Sequence, residues 1–472
     1  MSDGISKATA LHDMSAVELI AGFKAKTFSP SEALDDVLAH VAAWEPHAQA
    51  LYAFDPDGAR AVAKASTERW AKAAPVCPLD GVPTTLKENI ATEGVAIPLG
   101  TAATTLVPAA VDAPPAARLR EAGAVIFSKT TMPDYGMLSS GASSFHPLTR
   151  NPWDLTQNPG GSSAGAGAAG AAGYGPLHLG TDIGGSVRLP AAWCGLATLK
   201  PSLGRVPIDP PYVGRCAGPM TRTIDDTALM MSVLSLPDGR DGMSLPPADI
   251  AWTELGGVSP KGLRIGLTLD IDFGLPLDSE VRETVRAAAE AFEAAGAYII
   301  EVPWVMNGDH LVGLDAFWRA RSWDDISKLP ADTQAKILPF IYDWAKGGAE
   351  LSGSDVIRGF NCTMAIRANA AKAFADLDYM ISPVAPIVSY AAELPSPTND
   401  AQRPLEHIGY TVPWNMAENP AASVNAGFSA KGLPIGLQIA GRRFDDLGVL
   451  KMAKFFEGIR GPQRPWPTPP EA

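Results

Sequence analysis

Read for its alternation of apolar and polar positions, the chain repeats one unit: an amphipathic helix, a glycine, then a short apolar or β-branched run. Residues 113–122 predict a helix closed by Gly123, with Ala124 to Phe127 following as a buried strand. The same order returns at residues 281–293, Gly296 and residues 298–302, and again at 368–377 before 379–382. Two helix starts have capping-box spacing, Ser15 with Glu18 and Ser29 with Glu32, the second carrying Pro30 at its first helical position. They predict a helical lead-in over residues 1–80. Residues 81–90 read as a turn and a short strand that places Lys87 in or just after an apolar, β-branched segment. Repeated helix-to-strand units predict an α/β fold, a sheet covered by helices.

Length and composition bound this picture. A chain of 472 residues with 46% apolar residues is large enough for an extensive core. Length alone suggests about three domains. No Gly/Ser-, Pro- or charge-rich linker divides the chain and no internal repeat stands out, so a single domain over residues 1–472 is expected. The loop 207–219 and the tail 461–472 concentrate proline and glycine, and the tail reads as irregular surface.

A net charge of −13 leaves no basic stripe to neutralise a phosphate backbone, so nucleic acid is not expected as a direct partner. Cys77, Cys194, Cys216 and Cys362 have no metal-ligand spacing and are too few for a disulfide framework, as a reduced cytoplasmic location predicts. Met1 to Gly4 show neither a basic nor an apolar signal region, and the low-charge run 164–180 is too weakly apolar to span a bilayer. No membrane contact, metal or cofactor is expected.

The chemistry concentrates in Gly160-Gly161-Ser162-Ser163-Ala164-Gly165 and Gly180-Thr181-Asp182-Ile183-Gly184-Gly185-Ser186-Val187-Arg188. Two serines 24 residues apart, Ser162 and Ser186, sit on glycine-flanked backbone that can approach a ligand and offer bare N–H groups. Such a setting houses a hydrolytic nucleophile, which needs a base to take its proton. Histidines stand at positions 12, 40, 47, 146, 178, 310 and 407; none has a recognisable catalytic setting, although His146 and His178 lie nearest the serines. Ser186 lacks the GxSxG elbow. Lysine is the other candidate base, and lowering its pKa by about three units costs on the order of 4 kcal/mol, which desolvation can impose. Alone, Lys87 reads as a surface or ion-paired lysine; the serine segments turn it into a candidate base. Gly165 to Gly170 satisfies GxGxxG, but no apolar strand precedes it and no acidic residue stands about 20 positions beyond it. These small residues read instead as a helix packed closely beneath the site.

Taken together the chain resembles the amidase-signature family of Ser-Ser-Lys amide hydrolases. The resemblance runs from Gly81-Val82-Pro83 and Lys87 through Ala122-Gly123-Ala124, Lys129-Thr130 and Asn151-Pro152-Trp153 to the glycine-serine core. It continues through Leu199-Lys200-Pro201-Ser202, Gly204-Arg205-Val206 and Gly218 to Thr223, and ends at Gly432-Leu433-Pro434 and Gly436-Leu437-Gln438. It implies one large mixed, mostly parallel twisted sheet with helices on both faces, a catalytic core at 81–225 and a variable substrate-channel region at 300–420. It also implies Ser186 as nucleophile, Ser162 as bridging serine after a cis peptide bond from Gly161, and Lys87 as base. Backbone N–H groups of Ile183, Gly184, Gly185 and Ser186 form the implied oxyanion hole, with Ser163, Asp182 and Arg188 supporting the loop.

Some positions depart from the family pattern. Ala164 stands where glycine is common, Glu88 replaces an aspartate, and residues 418–425 differ in a segment expected near the substrate channel. Trp304, Met306, Phe317, Trp318, Trp323, Phe340, Tyr342 and Trp344 are each more readily core residues, yet as a group they favour a neutral, bulky, apolar or aryl substrate over a small charged one. The leading expectation is an independent hydrolase of small-molecule amides, with carbamates and esters as further substrates, acting as monomer or homodimer. The alternatives are a transamidase subunit, which needs a partner to supply ammonia and bind tRNA, and a catalytically silent binding or scaffold member.

Overall fold

The computed structural model describes residues 10–470. The reading of Met1 to Gly4 and the last two residues of the tail lie outside that span. Eleven strands make one sheet: β1 (Leu51–Tyr52), β2 (Pro83–Lys87), β3 (Val125–Thr130), β4 (Leu177–Asp182), β5 (Ala197–Lys200), β6 (Cys216–Thr221), β7 (Arg264–Leu267), β8 (Tyr298–Glu301), β9 (Tyr379–Pro383), β10 (Ala421–Phe428) and β11 (Pro434–Gly441). Their spatial order is β1-β3-β2-β4-β6-β5-β10-β11-β9-β7-β8.

The sheet is mixed, and the expectation of mostly parallel pairing is corrected. Parallel neighbours are confined to two flanks, β3-β2-β4 and β9-β7-β8. Between them β4-β6-β5-β10-β11-β9 runs antiparallel. The reason lies in the connections. β10 and β11 join through a short turn closed by Ser429 and Leu433, which permits only an antiparallel hairpin. β6 inserts between β4 and β5 and runs against both.

Local signals translate directly. Ser15 and Ser29 form capping boxes with Glu18 and Glu32 and start helices Ala16–Ala25 and Pro30–Ala48. After them the chain adds β1 to the sheet edge, a strand with no strong sequence pattern. The helix expected at 368–377 is the end of a longer one, Gly353–Ala373, because Ser352 and Asp355 cap it far upstream. Residues 461–470 have no regular structure, as expected of the tail.

Helices cover both faces. Along β4, Leu177 and Leu179 join the core with Ile224, Ala228 and Met230 of helix Ile224–Leu234. His178 and Gly180 face the other way, against Gly170 of helix Ala164–Ala172 and Ser163. That helix is the GxGxxG segment and is wholly buried. At Gly165 an added Cβ would lie 2.3 Å from Ala50 O and 2.4 Å from Thr131 N, so only glycine permits this approach. A second core binds helices Gly308–Ile326, Pro339–Lys346 and Gly353–Ala373 over the site. Among the described residues no helix is long and apolar enough to cross a membrane.

Candidate active site

β2 ends on Lys87 and its parallel neighbour β4 ends on Asp182, so both chains leave the sheet at carboxyl ends, where open α/β sheets place ligands. Lys87 is fully buried, with Nζ 2.8 Å from Ser162 Oγ and 3.1 Å from Thr181 Oγ1. Burial pushes its amine down to about 7, helped by the Arg215 guanidinium and opposed by the Asp182 and Glu88 carboxylates. Near neutrality such an amine is substantially uncharged and has a lone pair to accept a proton.

Ser162 follows a cis peptide bond from Gly161. Ser163 ties the two serine loops together: its N–H donates to Ser186 O at 3.2 Å, and its hydroxyl donates to Thr181 O at 3.2 Å. Asp182 and Arg188 buttress the second loop. Both are fully buried, joined through Nε to Oδ2 and Nη2 to Oδ1, each at 3.0 Å. Burial raises the Asp182 pKa, but the Arg188 guanidinium overcomes it and holds the carboxyl well below the usual range. Arg188 is itself satisfied by Thr411 O, Gln438 Oε1 and Asn415 Oδ1 at 2.8, 2.9 and 2.6 Å.

Of the four N–H groups expected to face an oxyanion, those of Ile183, Gly184 and Ser186 meet no acceptor among the described residues. Gly185 differs: its N–H donates to Asp182 Oδ1 at 2.8 Å. Its φ of 127° and a gap in which a Cβ would sit 2.5 Å from Thr411 Oγ1 require glycine here. It shapes the loop and leaves its neighbours' donors free. No hydrogen bond joins Ser162 Oγ to Ser186 Oγ, although the relay expected from sequence needs that link.

None of the described histidines bonds either serine. His178 pairs with Thr85 Oγ1 and Gly175 O, and burial pushes its pKa down to about 3. His146 contacts Glu88, Nε2 to Oε2 at 2.5 Å. The sequence placed His146 near the serines but did not pair it with Glu88, nor did it single out for chemistry a second buried lysine, Lys129, whose pKa burial lowers to about 7. Thr411, Asn415 and Gln438 were missed as well. Only Gln438 carried a signal, as the end of the motif at 432–438.

A small cavity of about 50 Å³ opens beside Ser186. Of the aromatic group at 304–344 only Trp318 lines it; Trp304 packs on Tyr410 and Trp414, and Trp344 is buried. Residues 418–425 do not line it: Glu418 pairs with Arg367 and Arg443, Asn419 and Pro420 lead into β10, and residues 421–425 begin that strand. A larger cavity of about 400 Å³ lies elsewhere, among Trp153, Arg222, Phe428 and Trp466, and holds none of these candidate residues.

Residues 32–450 match the family model described as Amidase. The chain belongs to the amidase family. This amidase is 33% identical over 487 residues to a glutamyl-tRNA(Gln) amidotransferase subunit of Myxococcus xanthus, covering 95% of this chain and 97% of the relative. It is 31% identical to an acylamidase of Rhodococcus erythropolis, covering 97% and 96%. Its fold is similar to that of a bacterial aryl acylamidase crystal structure, with a TM-score of 0.86 at 29% identity and coverage of 96% and 97%. The amidase is therefore an enzyme of amide C–N bonds.

Proposed function

We propose that this amidase hydrolyses small-molecule amides through an acyl-enzyme on Ser186, with Ser162 relaying the proton and Lys87 as base. The observation that carries the reading is the buried, near-neutral amine of Lys87 lying 2.8 Å from Ser162 Oγ. As Ser186 Oγ bonds to the carbonyl carbon, its proton passes to Ser162 and that of Ser162 to Lys87. The carbonyl π pair moves onto oxygen, facing the N–H groups of Ile183, Gly184 and Ser186. The proton then returns through Ser162 to the leaving nitrogen as the C–N bond breaks, and water releases the acyl group. The Ser162–Ser186 link that the relay needs forms as substrate binds, since catalytic hydrogen bonds tighten in the enzyme–substrate complex.

The apolar wall at Trp318 favours apolar or aryl amides, and the same acyl chemistry serves carbamates and esters. The continuous sheet from Leu51 to Gly441 favours action as one domain, and four unpaired cysteines favour a reducing cytoplasm. The relatives that are glutamyl-tRNA(Gln) amidotransferase subunits favour a second reading with about equal weight, in which this chain works with partner subunits on tRNA.

Intact mass after treatment with a fluorophosphonate serine probe, in wild type, Ser186→Ala, Ser162→Ala and Lys87→Ala, tests the mechanism alongside an anilide, carbamate and ester panel. A single adduct absent from Ser186→Ala, with turnover lost in all three variants, is expected. Turnover of anilides by the isolated chain supports the hydrolase; activity only with partner subunits and misacylated tRNA supports the transamidase and sinks the independent enzyme.

A further inference from the structure

The cavity beside Ser186 has an apolar neck and a cationic rim. Leu138, Ile183, Trp318, Leu405 and Ile408 supply the neck, and Arg321 is the one charged side chain in the lining. Arg321 stands on helix Gly308–Ile326, less than one turn beyond Trp318. Two residues earlier on that helix, Arg319 is neutralised by Asp315 at 2.6 Å. Arg321 forms no ion pair among the described residues. Its guanidinium carbon lies 3.9 Å from the centroid of the Tyr212 ring.

Tyr212 belongs to the loop that leads to Arg215, a second arginine without an ion pair among the described residues; its Nη1 donates only to Pro210 O at 3.0 Å. Arg215 is close enough to repel Arg321 and to act on Lys87. Asp209 acts on Arg215 and Asp325 on Tyr212 at longer range, and neither forms an ion pair with Arg215 or Arg321. A protein of net charge −13 thus holds one guanidinium without an ion pair in the lining of its candidate catalytic cavity, with a second, Arg215, near enough to repel it. Such a rim concentrates anions. Contact with the ring and hydroxyl of Tyr212 orients the Arg321 guanidinium, whose remaining N–H donors can meet a carboxylate.

We propose that Arg321 is a specificity-determining residue that binds a carboxylate at the far end of the substrate from the scissile amide, with an apolar or aryl segment lying along the neck. The substrate class is therefore an anionic amide rather than a neutral one. This rests on the hydrolytic reading of Ser186.

Two matched pairs test it and locate the carboxylate: glutaric acid mono-4-nitroanilide against pentanoyl 4-nitroanilide, for the acyl arm, and 4-acetamidobenzoate against acetanilide, for the leaving arm. In one pair the anionic member is expected to lead by about tenfold or more in kcat/KM, the size of one charge-assisted contact. Arg321→Gln brings that ratio near one and Arg321→Lys keeps part of it. Equal turnover within both pairs, or a ratio unchanged in Arg321→Gln, overturns the carboxylate site while leaving the hydrolase intact. Calorimetric titration with glutarate and 4-aminobenzoate covers an enzyme that turns over neither pair. Binding lost in Arg321→Gln then supports the site although the hydrolytic reading falls; binding absent, or equal in both proteins, overturns it.

Discussion

Arg188 grips Asp182 at two points in a fully buried ion pair, and Asp182 in turn fixes the Gly185 and Val187 N–H groups at 2.8 and 3.2 Å. The pair therefore acts on backbone shape next to Ser186. Arg188→Met leaves a buried carboxylate without its partner, which costs about 3–5 kcal/mol. Urea denaturation should show a loss of that order, and adding Asp182→Asn should recover part of it. Because the Asp182 carboxyl is held below its unfolded pKa, its contribution is present above about pH 4 and fades as pH falls further.

In the proposed mechanism Lys87 sets the acid limb of activity. With its pKa near 7, kcat/KM should rise as pH increases through about 7 and then level. Glu88 favours the charged amine, so Glu88→Gln should move this limb to lower pH. A limb that stays in place in Glu88→Gln would separate it from the Lys87 titration.

The same burial predicts a signature in stability. Between about pH 7 and 10.5 the unfolded lysine is protonated and the folded one is not, so the unfolded state binds more protons and Lys87 opposes folding less as pH rises. Lys87→Met removes this dependence. Its stability relative to wild type should fall by about 1.4 kcal/mol per pH unit across that window in matched denaturation curves. A pH-independent difference would place a charged amine in the folded protein.

Gly185→Ala combines a disfavoured φ of 127° with a Cβ 2.5 Å from Thr411 Oγ1. The loop must shift, and with it the free N–H groups of Ile183, Gly184 and Ser186. A loss of about 10²-fold or more in kcat is expected, the effect of removing one oxyanion donor. Preserved kcat would show that this loop does not bind the oxyanion.

What the sequence determined by itself is local. Ser15, Ser29 and their glutamates specify helix starts because a capping box closes within three residues, and the glycines beside Ser162 and Ser186 mark backbone that can approach a ligand; that Gly165 and Gly185 leave no room for a side chain is a tertiary fact. The motifs around Lys87, Ser162 and Ser186 marked one candidate chemistry, but their separation along the chain left its geometry open. Tertiary structure decided that the central strands run antiparallel, because β6 slots between β4 and β5. It also decided that Thr411, Asn415 and Gln438 converge on Arg188, that Glu88 meets His146, and that Arg321 reaches the cavity of Ser186. Those contacts join segments far apart in the chain, and a long-range pairing leaves no periodicity or spacing in the sequence by which it can be read.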